Sequence, residues 1–432
     1  MSLTKYDNYK DSGVDWLGDI PSHWEVKRVK DIILKIGSGV TPKGGSDVYK
    51  NKGIPFIRSQ NVYNKGLKMD TVSYIDDAIH ERMKNSKIRP FDILINITGA
   101  SIGRTCFVPS SIETANINQH IIYMRIAKKL VYFISRYFQS KRFQEHIMSI
   151  QLGTSKEALN MGQTLSIPIL LPPLQEQQQI ANYLDKQTTI IDKKITLLQT
   201  KIEHYKALKK SLINETVCRG LDKAVVLKDS GIEWIGDIPE HWEVERLKDY
   251  VFFQKGINSA KYTQGYVKDS KNIGLYPVYS GQTGNKGVMG KINTFEYDMN
   301  NKVILVTTVG AKAMTSRLIS GKFSLSQNCA LITSPYNIDY YFHYLTQLFD
   351  IEKYIIPSYM QPSLRIEDLK IYNIITPPLQ EQQQIANYLD EQTQKIDKIV
   401  SNLQSQIERL GELRQSLINE VVTGKVCVVD KV

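Results

Sequence analysis

The sequence predicts an α+β chain in which one unit, a mixed α/β block followed by a long helix, occurs twice, with the two helices pairing as a coiled coil. Three observations carry this. A Trp-rich opening segment recurs, a fourteen-residue string recurs without a change, and a 3-4 apolar stripe follows each copy of that string.

Self-similarity at fixed offset is the first thing to establish, because it sets the architecture. Residues 11–31 read DSGVDWLGDIPSHWEVKRVKD and residues 229–249 read DSGIEWIGDIPEHWEVERLKD, an offset of 218. Residues 172–185, PPLQEQQQIANYLD, recur at 377–390, an offset of 205, and Ser211–Glu215 recurs as Ser416–Glu420. The second middle block is therefore 13 residues shorter. The repeat places a first block with its opening segment at 11–171 and a first conserved helix at 172–220. A second block falls at 229–376 and a second helix at 377–425. Between the ends the similarity is faint; ANINQHIIYMRI can be laid on FSLSQNCALITS, matching Gln119 to Gln327. Shared ends around divergent middles indicate one job done twice by the ends and different jobs done by the middles. Duplication followed by drift is the alternative, but drift alone does not leave fourteen identical residues beside blocks that barely align.

Each helix opens at a Pro-Pro pair, Pro172-Pro173 and Pro377-Pro378, where proline is tolerated in the first turn. Glu176 and Glu381 fall in that turn, favourable to the helix dipole. One heptad position then holds Leu184, Ile191, Leu198, Tyr205 and Leu212, and the other Thr188, Ile195, Ile202 and Lys209. The second copy gives Leu389, Ile396, Leu403, Leu410 and Leu417, with Thr393, Val400, Ile407 and Arg414. Sustained heptads of this kind favour a coiled coil. One stripe per helix and one helix per copy predict that the helices pack on each other, parallel or antiparallel; the competing arrangement packs each helix on its own block. Leu184 to Leu212 spans about 42 Å.

The blocks read as mixed α and β. Apolar runs at Gly53–Arg58, Asp92–Ile97 and Val303–Val306 are bounded by Gly, Pro and Asn, and helical patterns run from Leu130 to Ile150 and from Tyr340 to Ile355. Two loops are dense in polar and basic side chains. Arg58, Ser59, Gln60, Asn61 and Lys65 lie in one, and Tyr279, Ser280, Gln282, Thr283 and Lys286 in the other. Arg and Lys suit guanine, Asn and Gln suit adenine, and Ser and Thr suit phosphate; a polar loop is otherwise simply solvated.

Net charge is +11 over 432 residues, which points to a polyanionic partner. No run of about 18 apolar residues predicts a membrane span, and the polar start lacks a signal-peptide core, so a cytoplasmic protein is expected. Cys106, Cys218, Cys329 and Cys427 form no Cys-x-x-Cys pair; no zinc site is expected, and the thiols read as reduced. No catalytic constellation is found. The Pro-Pro pairs lack the preceding Asn or Asp and the following aromatic of an amine methyltransferase. Gly321-Lys322-Phe323 and Gly424-Lys425-Val426 fail as phosphate-binding loops. Gly37-Ser38-Gly39 meets Pro42 where a third glycine is needed. His23 and His241, each beside a Trp, lack partners for metal or catalytic work and read as packing or hydrogen-bonding groups.

With these residues set out, the chain resembles the specificity subunits of type I restriction-modification systems over nearly its full length. The resemblance rests on Trp16, Gly18, Ile20, Pro21 and Trp24, on their copies Trp234, Gly236, Ile238, Pro239 and Trp242, and on the twice-seen PPLQEQQQIANYLD. TGASIGRT at 98–105 and NINQ at 116–119 look like the family's recognition-domain motif, which adds Thr98, Ser101, Arg104, Asn118 and Gln119 as candidates for DNA contact. The second block departs from that motif with TTVGAKAMTSR; its candidates are Thr307, Lys312, Arg317, Gln327 and Asn328. The resemblance implies two target-recognition domains, each reading half of a split, asymmetric DNA site, separated by an antiparallel two-helix coiled coil. It also implies two modification subunits that use S-adenosylmethionine and two restriction subunits that use ATP and Mg, with no cofactor in this chain. A self-sufficient nuclease or methyltransferase, and a coiled-coil scaffold without a DNA role, are the competing readings. A coil of about 42 Å is somewhat more than one DNA turn of roughly 34 Å.

Overall fold

The computed structural model describes residues 4–151, 158–281, 284–310, 312–355, 362–369 and 372–429. The chain divides into two compact units, one of residues 1–198 with 405–432 and one of residues 199–404.

In the first unit a four-stranded antiparallel sheet runs Thr105–Phe107, Ile93–Asn96, Ile121–Ile126, Ile33–Ser38. A second sheet orders Ser73–Ile75, Ile54–Ile57, Ala115–Ile117, Lys87–Ile88, with its central pair parallel. Ile93–Asn96 is buried along its whole length because it serves two cores. Side chains alternate across a strand. Ile93 and Ile95 therefore join the cluster around Trp24, Phe133 and Tyr137, while Leu94 joins Ile57, Val62 and Tyr123 on the other face. The helical pattern over Leu130 to Ile150 resolves into two helices, Lys128–Phe138 and Lys141–Ser149. The break falls at Ser140, whose hydroxyl accepts from the Phe143 N–H and restarts the chain as an N-cap.

The second unit holds one six-stranded sheet, Phe252–Lys255, Cys329–Thr333, Tyr297–Thr307, Ser316–Leu325, Ile273–Tyr279, Val288–Ile292. The run predicted at Val303–Val306 is the end of an eleven-residue strand whose register shifts between Met299 and Val303. It divides its side chains as its counterpart does. Ile304 and Val306 face the core around Trp242, Tyr340 and Tyr344, and Val303 and Leu305 face Phe323 and Leu331. The helix Ile338–Ile355 packs on the first of these cores, together with long-helix residues such as Val217 and Leu389.

The two long helices are Leu174–Arg219 and Leu379–Val422. Within the first unit Ile418, Val421 and Val422 pack with Ile180 and Leu184, and Arg414 meets Asp192. Partner numbers fall as the first helix advances, so the segments are antiparallel. Within the second unit Ile213 and Val217 pack with Ile385 and Leu389, and Lys209 meets Asp397, the same sense. Ile191, Ile195, Ile202, Ile396 and Leu403 are buried; Leu198, Leu212, Val400, Ile407, Leu410 and Leu417 are half-buried.

Candidate DNA interface

Each long helix begins on a clamp. Trp24 Nε1 donates to Glu176 Oε1 at 3.0 Å, His23 Nε2 lies 2.8 Å from Oε2, and the Tyr6 hydroxyl donates to Oε1 at 2.6 Å. In the second copy Trp242 Nε1 and His241 Nε2 hold the two oxygens of Glu381 at 2.9 and 2.7 Å. The duplicated His-Trp pair thus ties each opening segment to the first turn of a helix. Glu176 and Glu381 gain defined partners beyond the helix dipole.

Above this base the first block brings three loops together. Asn96, at the end of its strand, donates to Ser59 O at 2.8 Å and to Ser101 Oγ at 3.1 Å. The Arg104 guanidinium lies over the Tyr63 ring, 5.0 Å from its centroid, and the Arg58 guanidinium over Tyr49 at 5.4 Å. Thr98 Oγ1 meets His120 Nδ1 at 2.6 Å; Gln119 Nε2 meets His120 Nε2 at 3.0 Å; the Thr41 hydroxyl donates to Gln119 Oε1. Gln60, Lys65 and Gln119 are exposed, while Arg58, Ser59, Thr98, Ser101 and Arg104 are half-buried. Lys65 Nζ also reaches Asp192 at 2.8 Å.

Two candidates in this block turn inward. Asn61 is fully buried; its oxygen accepts from the Arg58 N–H and its amide donates to Lys68 O and Thr71 Oγ1. It closes the loop from inside rather than facing a ligand. Asn118 is buried too, and accepts from the His120 N–H.

The second block repeats the turn despite its different sequence. In the first, Ile97 N–H donates to His120 O, Leu159 to Ile97 O, Ile102 to Gly99 O, Gly103 to Asn96 O and Asn96 to Arg104 O. In the second, Thr308 donates to Asn328 O, Leu364 to Thr308 O, Ala313 to Gly310 O, Met314 to Thr307 O and Thr307 to Thr315 O. These bonds match Gln119 to Gln327, Ser101 to Lys312 and Arg104 to Thr315. They also match Gly103, at φ +81°, to Met314, at φ +62°. A left-handed residue is required there, and the second block holds a methionine in it.

Lys312, Gln327 and Asn328 are exposed, and Arg317 is half-buried with Nη1 donating to Lys286 O at 3.0 Å. Gln327 and Asn328 line a groove of about 650 Å³ together with Lys255, Ser259, Ser363 and Arg365. Lys286 is exposed. Thr307 and Ser280 are buried, and their backbone N–H groups donate to Thr315 O and Gly287 O. Tyr279 is half-buried, edge-on to Phe323 at 5.7 Å, and burial raises its pKa. Gln282 and Thr283 lie outside the described residues. Sequence reasoning missed Thr41, Asn96, His120 and Arg365. His120 directly follows the NINQ string and was the one within reach of a motif argument.

Cys106, Cys218 and Cys329 are buried, and burial pushes each thiol up to about 12, which suits packing and not nucleophilic chemistry. Among the described residues no cluster of three His, Cys, Asp or Glu side chains is placed to hold a metal, and no helix is long and apolar enough to cross a membrane.

Two duplicated mixed blocks, each carrying a polar loop cluster on a shared turn and flanked by antiparallel helices, define a duplicated recognition protein. The profile of the type I restriction modification DNA specificity domain matches residues 21–204 and 239–409, and the chain belongs to that family as a type I specificity subunit. Among its relatives, the MjaIX type I restriction enzyme specificity subunit of Methanocaldococcus jannaschii is 26% identical, over 95% of each chain. The MjaVIII specificity subunit of the same organism is 24% identical, over 99% of this chain and 98% of its own. A solved structure from a study of complex assembly and conformational transition of the type I R-M system covers 93% of this chain and 98% of its own, with TM-score 0.69 and 16% identity, a likeness of fold.

Proposed function

We propose that the two blocks are target-recognition domains, each reading one half of a split, asymmetric DNA site, and that the length of the long helices sets the gap between the halves. The observation that carries this reading is the turn held by five matching backbone bonds in both blocks, around which the side chains differ. Equal scaffolds aim two loop clusters in the same way at the same kind of ligand. Unequal side chains, such as Arg104 against Thr315 and Ser101 against Lys312, make the two half-sites unequal.

In this reading Gln60, Lys65, Ser101, Arg104 and Gln119 contact the first half-site, and Lys286, Lys312, Arg317, Gln327 and Asn328 the second. Phosphate contacts position the blocks and the amides read base edges. The chain performs no chemistry itself. Two modification subunits dock around the helices and methylate adenine with S-adenosylmethionine; two restriction subunits supply ATP- and Mg-dependent translocation and cleavage. The test is an adenine-methylation map of DNA from cells that express this chain with its cognate modification subunit, against cells lacking the chain. A split, asymmetric motif present only with the chain is expected. A motif written equally without the chain, or methyl transfer by the purified chain alone, overturns the assignment.

A further inference from the structure

We propose that Gln119 reads an adenine in the first half-site, and that Thr41 and His120 are positioning residues that set its amide for that base. The proposal rests on the DNA-reading role of the first block and deepens it.

Gln119 is an exposed side chain held at both ends. The Thr41 hydroxyl donates to its Oε1, and its Nε2 donates to His120 Nε2 at 3.0 Å. His120 is fixed in turn by Thr98 Oγ1, 2.6 Å from Nδ1. A primary amide offers two acceptor sites and two donors. The protein occupies one of each on an exposed side chain, so one acceptor and one N–H remain for a ligand. Adenine presents N7 as acceptor and N6 as donor on its major-groove edge, which matches; guanine presents two acceptors, which does not.

The backbone beneath is equally fixed. Asn118 N–H donates to Ile57 O, Val40 N–H to Ile117 O and Gly39 N–H to Ile121 O. Gly39 approaches so closely that a Cβ there would lie 2.0 Å from Asn118 O. A side chain with two ends tied on a tied backbone keeps little freedom to adapt to another base. Gln327, at the matching place in the second block, is exposed and its amide meets no partner among the described residues. Discrimination by Gln119 is therefore expected to exceed that by Gln327.

The test uses the full chain in complex with its modification subunit, on a panel of duplexes carrying each base at each position of the methylation motif. The readouts are binding and methylation. Gln119→Leu is expected to lose roughly 10- to 100-fold of discrimination at one A·T pair of one half-site, leaving the other half unchanged. Thr41→Val is expected to lose part of the same discrimination at the same pair. Gln119→Glu, which keeps the shape and offers acceptors only, is expected to disfavour adenine there. A split wild-type motif combined with wild-type base ranking in Gln119→Leu overturns the role of Gln119 alone, as does a loss spread evenly over the panel. A wild-type complex that writes no split motif overturns the parent reading, and this inference with it.

Discussion

Arg414 Nε donates to Asp192 Oδ2 at 3.2 Å in the first unit, and Lys209 Nζ meets both oxygens of Asp397 at 2.7 Å in the second. Each pair is the image of the other under the 205-residue offset. The cation that ends the weaker heptad stripe in both copies is thus the partner of an aspartate on the facing helix. The first unit adds a third member, since Lys65 of the recognition loop also reaches Asp192. Among the described residues no loop cation meets Asp397.

Unequal sharing gives unequal mutants. Arg414 is largely buried, whereas the Lys209–Asp397 pair is more exposed and is worth little. Asp192→Asn should lower the unfolding free energy of the first unit by about 1–2 kcal/mol, because a mostly buried cation loses its partner. Asp397→Asn should cost the second unit less than about 1 kcal/mol. Urea unfolding followed separately in each unit checks this; equal losses would contradict it.

Glu176 gathers Trp24, His23 and Tyr6, so Glu176→Leu leaves the buried indole N–H without an acceptor. A stranded buried donor costs about 1–3 kcal/mol. A melt should show that loss in the first unit, with a shift in Trp24 fluorescence, and Glu381→Leu should do the same through Trp242 in the second. Unchanged melts would show that the clamps do not hold the helix starts.

Gly39→Ala places a Cβ against the backbone oxygen of Asn118, which has no rotamer to retreat into. Overpacking of this kind costs about 1–3 kcal/mol. The displaced loop carries Gln119 and His120, so discrimination in one half-site should fall while the other half is kept. The duplex panel reads this directly, and loss in both halves would contradict it.

His343 is buried with Nε2 2.8 Å from Asp390 Oδ1. Burial lowers its pKa; Asp390 and Asp339 oppose that, and Lys209 adds to it. A lowered value means that the folded chain prefers the neutral ring. That stability is present above the ordinary value of about 6.5 and is lost as pH falls below it through the lowered folded value. The second unit's Tm should therefore drop between about pH 7 and pH 5. His343→Gln should flatten the slope; a slope unchanged by the substitution would contradict the assignment.

The duplication, the heptad stripes and the mixed blocks were legible because each leaves a periodic or repeated trace. The clamp was half legible. His23 and Trp24 stood out by recurring, but Glu176 lies 152 residues beyond Trp24, and no local pattern joins them. The site was legible only as composition. Asn61 and Gln60 are adjacent and alike in chemistry, yet one is buried and the other exposed, because the Lys68 carbonyl and the Thr71 hydroxyl give Asn61 its partners. The kinship of Thr98–Arg104 with Val309–Thr315 lies in backbone bonds that side chains so different do not advertise. Nor does hydrophobic periodicity tell which partner a stripe will meet. The grouping of residues 405–432 with the first block shows in the packing of Ile418, Val421 and Val422 around Trp24 and in the bonds of Asn419 to Arg142 and of Arg414 to Asp192.

The measurement that bears most directly on the account is an exchange of residues 32–171 for the corresponding block of another specificity subunit, followed by a methylation map of the assembled complex. Two independent readers on a common frame predict a motif in which one half changes and the other half is kept. A change in both halves, or in neither, would contradict the claim that each block reads its own half of the site.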